Sequence, residues 1–173
     1  APPIRRLDMT STATTTPVDT AAPVRVRELG HIVLYVADLD RSTAFYRDVL
    51  GWPVVMAPDK APVVGFRAGD THHDLLLIEV GPEATPISPG RRVGMYHFGV
   101  KVGDTDDELR AMLAQLEANP QLVTIVGSAD HGFTHSLYVL DPDGNEVELY
   151  IDVPGVDWND PATMLVPVKP LRL

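Results

Sequence analysis

The chain has 173 residues, of which 45% are hydrophobic, and its formal net charge is −10 at pH 7. This length and composition allow a domain with a buried core and argue against a disordered protein. Because the acidic chain has no basic cluster that could neutralise several phosphates, we expect no nucleic-acid partner. Cysteine is absent, which excludes disulfides, thiolate ligands and cysteine nucleophiles, so a transition metal would need His, Asp or Glu ligands.

The composition changes along the chain and predicts three parts. Residues 1–26 are rich in Ala, Thr, Ser and Pro and lack the apolar segment of a secretory signal, which predicts a flexible tail. Residues 27–153 are predicted to form the folded domain, with modules at about 27–81 and 93–153, and residues 154–173 a C-terminal arm. No apolar run approaches the roughly 18 residues of a membrane span, so we expect no membrane partner and a cytoplasmic location.

An internal repeat organises the folded part. Leu29–Asp40 and Met95–Asp106 align at a constant offset of 66 residues, and His31 then coincides with His97. Both segments are apolar, are rich in strand-forming residues, and end in an Asp-containing stretch that precedes a helical pattern.

A helix and three short strands follow in each copy. The first helix is predicted at about Arg41–Leu50 and stops at Gly51, whereas the second begins at Thr105, where Glu108 gives a capping-box spacing. The predicted strands are Pro53–Met56, Val63–Arg67 and Asp74–Val80 in the first copy, and Leu122–Val126, His135–Leu140 and Glu146–Ile151 in the second. The order βαβββ therefore occurs twice and predicts an α+β fold.

The two equivalent histidines are candidate metal ligands. A single histidine in an apolar strand is more often a core residue that is hydrogen-bonded to a backbone carbonyl. A duplicated unit, however, usually packs about a pseudo-twofold axis, and equivalent residues near such an axis approach each other. The shared position of His31 and His97 therefore favours joint metal binding.

A predicted β-hairpin supplies the third ligand. The run Asp-Pro-Asp-Gly-Asn at residues 141–145 is a strong turn signal, and a hairpin centred there makes Tyr138 and Glu148 cross-strand neighbours. Glu148 lies between apolar residues, where an unpaired carboxylate would be costly to bury, whereas Glu146 is closer to the turn. Two imidazoles and one carboxylate form the facial triad that is typical of Fe(II) sites that activate oxygen, and Mn(II) suits the same ligands.

At these residues the sequence resembles the vicinal oxygen chelate superfamily, and within it the type I extradiol ring-cleaving dioxygenases that have a single pair of modules. The resemblance covers roughly Glu28–Asp152. The segment Leu29–His31, followed by Ala44–Gly51, is similar to the opening strand and helix of the superfamily, which glyoxalases and resistance proteins share. The resemblance implies that the two βαβββ modules form a cupped, eight-stranded mixed sheet around a metal site.

Two further stretches resemble the ring-cleaving branch. The run from His72 to Leu75 is similar to the stretch that carries the acid–base histidine, which we assign to His73; strand parity predicts that His72 faces the opposite side. The run from His131 to Glu148 is similar to the extradiol signature, although Ala129 stands where that signature prefers another residue.

The resemblance implies extradiol cleavage of a small aromatic diol by O₂ at a mononuclear Fe(II), and a homodimer is compatible with the family. The implied metal ligands are His31, His97 and Glu148, and the implied catalytic residues are His73 as acid–base, Tyr138 as a hydrogen-bond donor to substrate, and His131 as a stabiliser of the developing anion. The simpler alternatives are loop histidines for His73 and His131 and a strand tyrosine with a hydrated hydroxyl for Tyr138.

Two other functions remain open from the sequence. Glu79 resembles the fourth metal ligand of glyoxalase I, and with His31, His97 and Glu148 it would suit a Ni(II) or Zn(II) isomerase. That alternative leaves His73, His131 and Tyr138 without a role, and it depends on Glu79 reaching the metal. A ligand-binding protein of the bleomycin-resistance type, without catalysis, is the second alternative.

Overall fold

The computed structural model describes residues 24–157 and 159–173. Most of the predicted tail and Trp158 of the predicted arm therefore lie outside the described residues. The elements are β1 (Ile32–Val36), helix α1 (Leu39–Thr43) with a π-helical continuation (Ala44–Val49), β2 (Val54–Met56), β3 (Val63–Phe66), β4 (Leu75–Glu79), β5 (His97–Gly103), α2 (Asp106–Glu117), β6 (Thr124–Asp130), β7 (Thr134–Leu140), β8 (Glu146–Asp152) and a 3₁₀ turn (Pro161–Leu165). The predicted repeat of βαβββ and the α+β class are confirmed.

Backbone pairing places the strands in two four-stranded mixed sheets, one for each module. Their orders are β1-β4-β3-β2 and β5-β8-β7-β6, and in each sheet the first strand runs parallel to the last strand of the module. The predicted eight strands are thus all present, but strand pairing within the chain joins them in two groups of four. β1 and β5 are consequently edge strands of their sheets.

The helix starts follow the local sequence. Asp38 caps α1 by accepting a hydrogen bond from the backbone N–H of Arg41 at 2.9 Å. The predicted capping box of α2 is confirmed, because Thr105 Oγ1 accepts from the Glu108 N–H at 3.3 Å and Glu108 Oε2 accepts from the Asp104 N–H at 2.8 Å.

Each sheet buries one face against its helix and leaves the other face open. The buried faces and the helices form one core, which includes Leu34, Val36, Phe45, Tyr46, Phe66, Leu75, Leu77, Leu109, Leu116, Leu137, Val139, Val147, Leu149 and Ile151. Since side chains alternate along a strand, the neighbours of these residues lie on the open face. Val33 and Tyr35 of β1 are accordingly 45% and 70% exposed.

Polar contacts join the start of α1 to the turn between β7 and β8. Asp143 accepts hydrogen bonds from the Ala37 N–H at 2.9 Å, the Arg41 guanidinium at 3.0 Å and the Ser42 hydroxyl at 2.6 Å. One turn further along, the buried Tyr46 hydroxyl donates to Asp141 at 2.8 Å. These contacts set how the two modules sit against each other.

The end of the chain packs beside the second sheet. Lys169 exchanges two backbone hydrogen bonds of 2.8 Å with Asp130, the last residue of β6. β6 extends beyond its predicted end at Val126 because it remains paired with β7 as far as Asp130 and His135. Among the described residues, no helix has the length and apolarity required to cross a bilayer.

Candidate metal centre

The open face of the second sheet brings His97 and Glu148 together. His97 begins β5, and Glu148 lies on the neighbouring parallel strand β8 opposite Gly99. His97 Nε2 is 3.2 Å from Glu148 Oε2. Two ligand atoms that are each about 2.1 Å from one metal ion and about 90° apart would be about 3 Å from each other. This pair of atoms therefore has the spacing that a shared metal ion requires.

The other oxygen of Glu148 is held by neighbouring side chains. Glu148 Oε1 accepts hydrogen bonds from the Ser136 hydroxyl at 2.7 Å and the Tyr138 hydroxyl at 3.0 Å. The predicted cross-strand pairing of Tyr138 with Glu148 is confirmed by the β7–β8 register. These bonds orient the carboxylate and leave Oε2 directed towards His97, as expected of residues that position a ligand.

Tyr138 connects Glu148 to His131. His131 Nε2 lies 2.7 Å from the Tyr138 hydroxyl oxygen, and since the tyrosine proton is given to Glu148, the imidazole N–H is the donor to that oxygen. Burial, the negative charge of Glu148 and the hydrogen bond to it raise the pKa of Tyr138 well above its usual value. The hydroxyl therefore stays protonated and can donate a hydrogen bond.

A tight turn positions His131. Gly132 has φ +79°, and a Cβ atom there would collide with Val166 of the C-terminal arm, so the turn needs glycine. The Gly132 N–H donates to the Asp130 side chain at 2.7 Å, and the His131 N–H donates to the Thr134 carbonyl at 2.9 Å.

These residues line an open cleft of about 380 Å³ on the second sheet. Its lining comprises His97, His131, Phe133, Thr134, Tyr138, Glu148, Tyr150 and Asp152. The volume is within the range of roughly 300–1,000 Å³ that is common for small-molecule sites. The cleft thus combines a candidate pair of metal ligands with aromatic and hydrogen-bonding side chains.

His31 lies in a different group, on the first module. Its ring centroid is 4.5 Å from that of His73 and 5.5 Å from that of His72, and one ring nitrogen from each of the three residues lies within 4.8 Å of the others. Among the described residues, His31, His72 and His73 are the group of three side chains whose ligand atoms lie close enough together to hold one metal ion. The single chain therefore does not place His31 with His97 and Glu148.

The prediction that His72 faces away from His73 is wrong. Their Nδ1 atoms are 2.6 Å apart, and their ring centroids 4.3 Å apart. Both residues lie in the turn before β4, where the two-residue alternation of a strand does not apply. Asp74 shapes this turn by accepting hydrogen bonds from the backbone N–H groups of Ala68 at 2.6 Å and Gly69 at 3.0 Å.

His73 has the environment of a proton acceptor. Burial lowers its pKa, and the neighbouring imidazoles of His72 and His31 lower it further. Its Nε2 atom is buried and has no hydrogen-bond partner among the described residues, while Nδ1 faces His72. In the neutral tautomer that donates from Nδ1 to His72, Nε2 is free to bind a ligand or to accept a substrate proton.

Glu79 and His135 are engaged elsewhere. Glu79, exposed at the end of β4, accepts a hydrogen bond from the Leu39 N–H at 2.8 Å, at the start of α1. His135, to which the sequence assigned no role, lies on the helix side of β7 with Nδ1 2.6 Å from Asp106 Oδ1.

Sequence reasoning missed two side chains of these groups, His72 and Ser136. His72 was missed because the turn overrides strand parity. Ser136 could have been found, because it is two residues before Tyr138 on the same strand and therefore shares its face.

Comparisons with known proteins agree with the fold and identify the family. The family model described as the Glyoxalase/Bleomycin resistance protein/Dioxygenase superfamily matches residues 28–149. A catechol-2,3-dioxygenase of Bacillus subtilis is 32% identical over 75% of this chain and 43% of its own length. Biphenyl-2,3-diol 1,2-dioxygenase 3 of Rhodococcus globerulus is 36% identical over 72% of this chain and 63% of its own length. The chain thus spans less than two thirds of either relative.

Solved structures support the same fold. A glyoxalase/dioxygenase from Nostoc punctiforme aligns with a TM-score of 0.61 and 23% identity, covering 79% of this chain and 99% of its own. A lactoylglutathione lyase from Agrobacterium tumefaciens aligns with a TM-score of 0.52 and 29% identity, covering 73% of this chain and 95% of its own. The likeness thus extends to members with different reactions.

Proposed function

Starting from the chain's membership of the Glyoxalase/Bleomycin resistance protein/Dioxygenase superfamily, we propose that it catalyses extradiol cleavage of a catecholic substrate by O₂. The proposed cofactor is a mononuclear Fe(II), for which His97 and Glu148 form the adjacent ligand pair. His31, which the single chain holds apart from that pair, is the third proposed ligand. Both oxygen atoms of O₂ enter the product, a ring-opened, muconic semialdehyde-type acid. The dioxygenase relatives, at 32% and 36% identity, support this kind of reaction.

The observation that carries the proposal is the adjacency of His97 Nε2 and Glu148 Oε2 at 3.2 Å, beside Tyr138 and His131. The donor set, imidazole nitrogen and carboxylate oxygen, suits Fe(II) and also Mn(II). When bound, the metal would hold a catecholate and O₂ next to each other and carry electron density between them.

The side chains around the proposed metal have separate roles. His73 accepts the proton of a substrate hydroxyl at Nε2 and returns a proton to the product, which a neutral imidazole of lowered pKa can do near neutral pH. The Tyr138 hydroxyl donates its hydrogen bond to a substrate oxygen instead of to Glu148. His131, which contacts the Tyr138 hydroxyl, stabilises the negative charge that develops on the substrate. Ser136 keeps its hydrogen bond to Glu148 when the Tyr138 hydroxyl donates to the substrate instead.

A glyoxalase I-like isomerase is the second candidate, because a lactoylglutathione lyase shares the fold at 29% identity. That activity would use Glu79 as an additional ligand. Glu79 instead accepts a hydrogen bond from the Leu39 N–H at the start of α1. This engagement of Glu79 favours the dioxygenase. The retained histidines and Glu148 also favour an enzyme over a ligand-binding protein of the bleomycin-resistance type.

Anaerobic reconstitution tests the proposal. The full chain is loaded with Fe(II) without oxygen, freed of excess metal, and mixed with O₂ and a panel of catechols. We expect O₂ consumption that matches the formation of a yellow ring-fission product, with label from ¹⁸O₂ in that product. If the protein isomerises a hemithioacetal in a metal-dependent reaction and consumes no O₂ with any catechol, the dioxygenase proposal is wrong and the glyoxalase I-like isomerase is favoured.

A further inference from the structure

The cleft on the second sheet contains a carboxylate that the proposed reaction does not use. Among the described residues that line the cleft, Glu148 and Asp152 carry acidic side chains, and neither lysine nor arginine occurs. Glu148 is a proposed metal ligand, whereas Asp152 lies four residues further along β8. We propose that Asp152 selects catechols whose ring carries a short chain ending in an ammonium group. This inference deepens the proposed function and rests on it.

Strand geometry places Asp152 on the same open face of the sheet as Glu148. Side chains alternate along β8, so that Glu148, Tyr150 and Asp152 are partly exposed on this face, while the residues between them are buried. Four residues of strand separate the backbone positions of the two carboxylates by about 13 Å. A catechol that is bound to the metal through its oxygens, and that carries an ammonium group on a short chain, is long enough to reach from Glu148 towards Asp152.

Aromatic side chains line the cleft beside Asp152. Tyr150 lies between Glu148 and Asp152 on the same face of β8, and Phe133 lines the cleft from the segment that precedes β7. Thr134, the first residue of β7, is the pairing partner of Asp152 and also lines the cleft. Aromatic rings pack against the ring and chain of a substrate, and their faces attract a cation. The surroundings of Asp152 therefore favour an apolar chain that ends in a positive charge.

Lys101 does not reverse the negative charge around Asp152. Its ammonium nitrogen lies 2.5 Å from an oxygen of Asp104 and 3.0 Å from an oxygen of Asp152, so one positive and two negative charges give this group a net charge of −1. The hydrogen bonds to both carboxylates raise the pKa of Lys101, which therefore stays charged. The side chain of Asp152 keeps 34% of its surface exposed. A substrate carboxylate would thus be repelled here, whereas a substrate ammonium group would be attracted.

Three catechols that differ only in their chain test the inference. They carry an aminoethyl, a propyl or a carboxyethyl chain para to one hydroxyl. Their dissociation constants for the iron-loaded full chain are measured by calorimetry without oxygen, so that binding is observed without turnover. We expect the amine to bind about fivefold more tightly than the propyl compound, and the carboxylate about fivefold more weakly, as for a partly exposed ion pair. The order of kcat/KM in the presence of O₂ should be the same.

Asp152→Asn should abolish this discrimination, so that the amine and the propyl compound bind equally well. The matched control is Asp107→Asn, which makes the same change in net charge on α2, where Asp107 is 90% exposed and outside the cleft lining. The control should keep the preference for the amine. Higher ionic strength should weaken the preference of unaltered protein, because salt screens the attraction, and this measurement does not depend on the folding of a variant.

The outcomes separate the two proposals. Equal dissociation constants for the three compounds, tighter binding of the carboxylate, or a preference that persists in Asp152→Asn would overturn the role of Asp152 and leave ring cleavage standing. A preference for the amine that Asp152→Asn abolishes, with no O₂ uptake on any catechol, would support the role of Asp152 and overturn the proposed reaction. Absence of binding by all three compounds would overturn both.

Discussion

The Tyr46 hydroxyl donates a hydrogen bond of 2.8 Å to Asp141, a residue of the other module that lies 95 positions further along the chain. Tyr46 is 0% exposed and Asp141 5%. Burial raises the pKa of both groups, and Asp141 also accepts from the backbone and side chain of Asn145. This bond therefore fastens the first helix to the β7–β8 turn that carries Asp143.

Replacement of Tyr46 by Phe should lower the free energy of unfolding by about 1–3 kcal/mol, because a buried carboxylate loses a donor that water cannot replace. Urea unfolding followed by circular dichroism measures this value. Asp48→Asn is the control: it removes an exposed ion pair with Arg47 on the same helix and should change stability much less, because solvent screens such a pair. Equal losses in the two variants would contradict a special role for the buried bond.

Glu148→Gln should weaken iron binding at least about tenfold, because a neutral amide is a poorer ligand than a carboxylate for a divalent cation. Iron retained after gel filtration is measured by elemental analysis. The matched control is Glu146→Gln, two residues away on the same strand face, with its carboxylate 3.7 Å from His97 Nδ1. Loss of iron in the Glu146 variant alone would reassign the carboxylate ligand.

His73→Gln should retain iron but lower the ring-cleavage rate by about 10²–10⁴-fold, the usual contribution of a general acid–base. Steady-state O₂ uptake and iron content are measured on the same preparation. His135→Gln is the control, since His135 pairs with Asp106 on the helix side of the sheet. Turnover that survives in the His73 variant would remove the proton-transfer role.

Tyr138→Phe should lower kcat by about 100-fold, the typical effect of losing one hydrogen-bond donor to developing negative charge. Iron content should remain, because Ser136 still holds Glu148 Oε1. A rise in KM with unchanged kcat would instead mean that the hydroxyl contributes only to substrate binding.

Asp74 makes the turn that carries His72 and His73 sensitive to acid. Although burial raises its pKa, hydrogen bonds from Gly69, Ala68 and Thr71 have the larger combined effect and lower it. Because the pKa of Asp74 is lower in the folded than in the unfolded protein, the ionised carboxylate stabilises the fold above the unfolded-state pKa of about 3.9. This stabilisation is lost as the pH falls through the folded-state pKa.

Asp74→Asn should therefore reduce the free energy of unfolding by about 1 kcal/mol at pH 7, and the difference from unaltered protein should shrink towards pH 3. Urea unfolding at several pH values measures it. A difference that stays constant down to pH 3 would show that the carboxylate charge does not stabilise the turn.

Local patterns in the sequence determined much of the architecture. The offset between His31 and His97 identified the duplicated module, the Thr105 and Glu108 pair identified a helix start, and the turn at residues 141–145 set the register that pairs Tyr138 with Glu148. Each of these depends on neighbours within a few residues or on one hairpin. Periodicity and turn chemistry are sufficient to determine such relationships.

Tertiary structure decided where the two modules sit and which ligands meet. Equivalence in a repeat does not specify the distance between His31 and His97, because that distance follows from contacts between remote segments, such as those of Asp143 and Tyr46. The orientation of His72 likewise depends on the turn that Asp74 closes, where strand alternation ends. Long-range packing, which no local pattern encodes, therefore holds His31 apart from His97 and Glu148 in one chain.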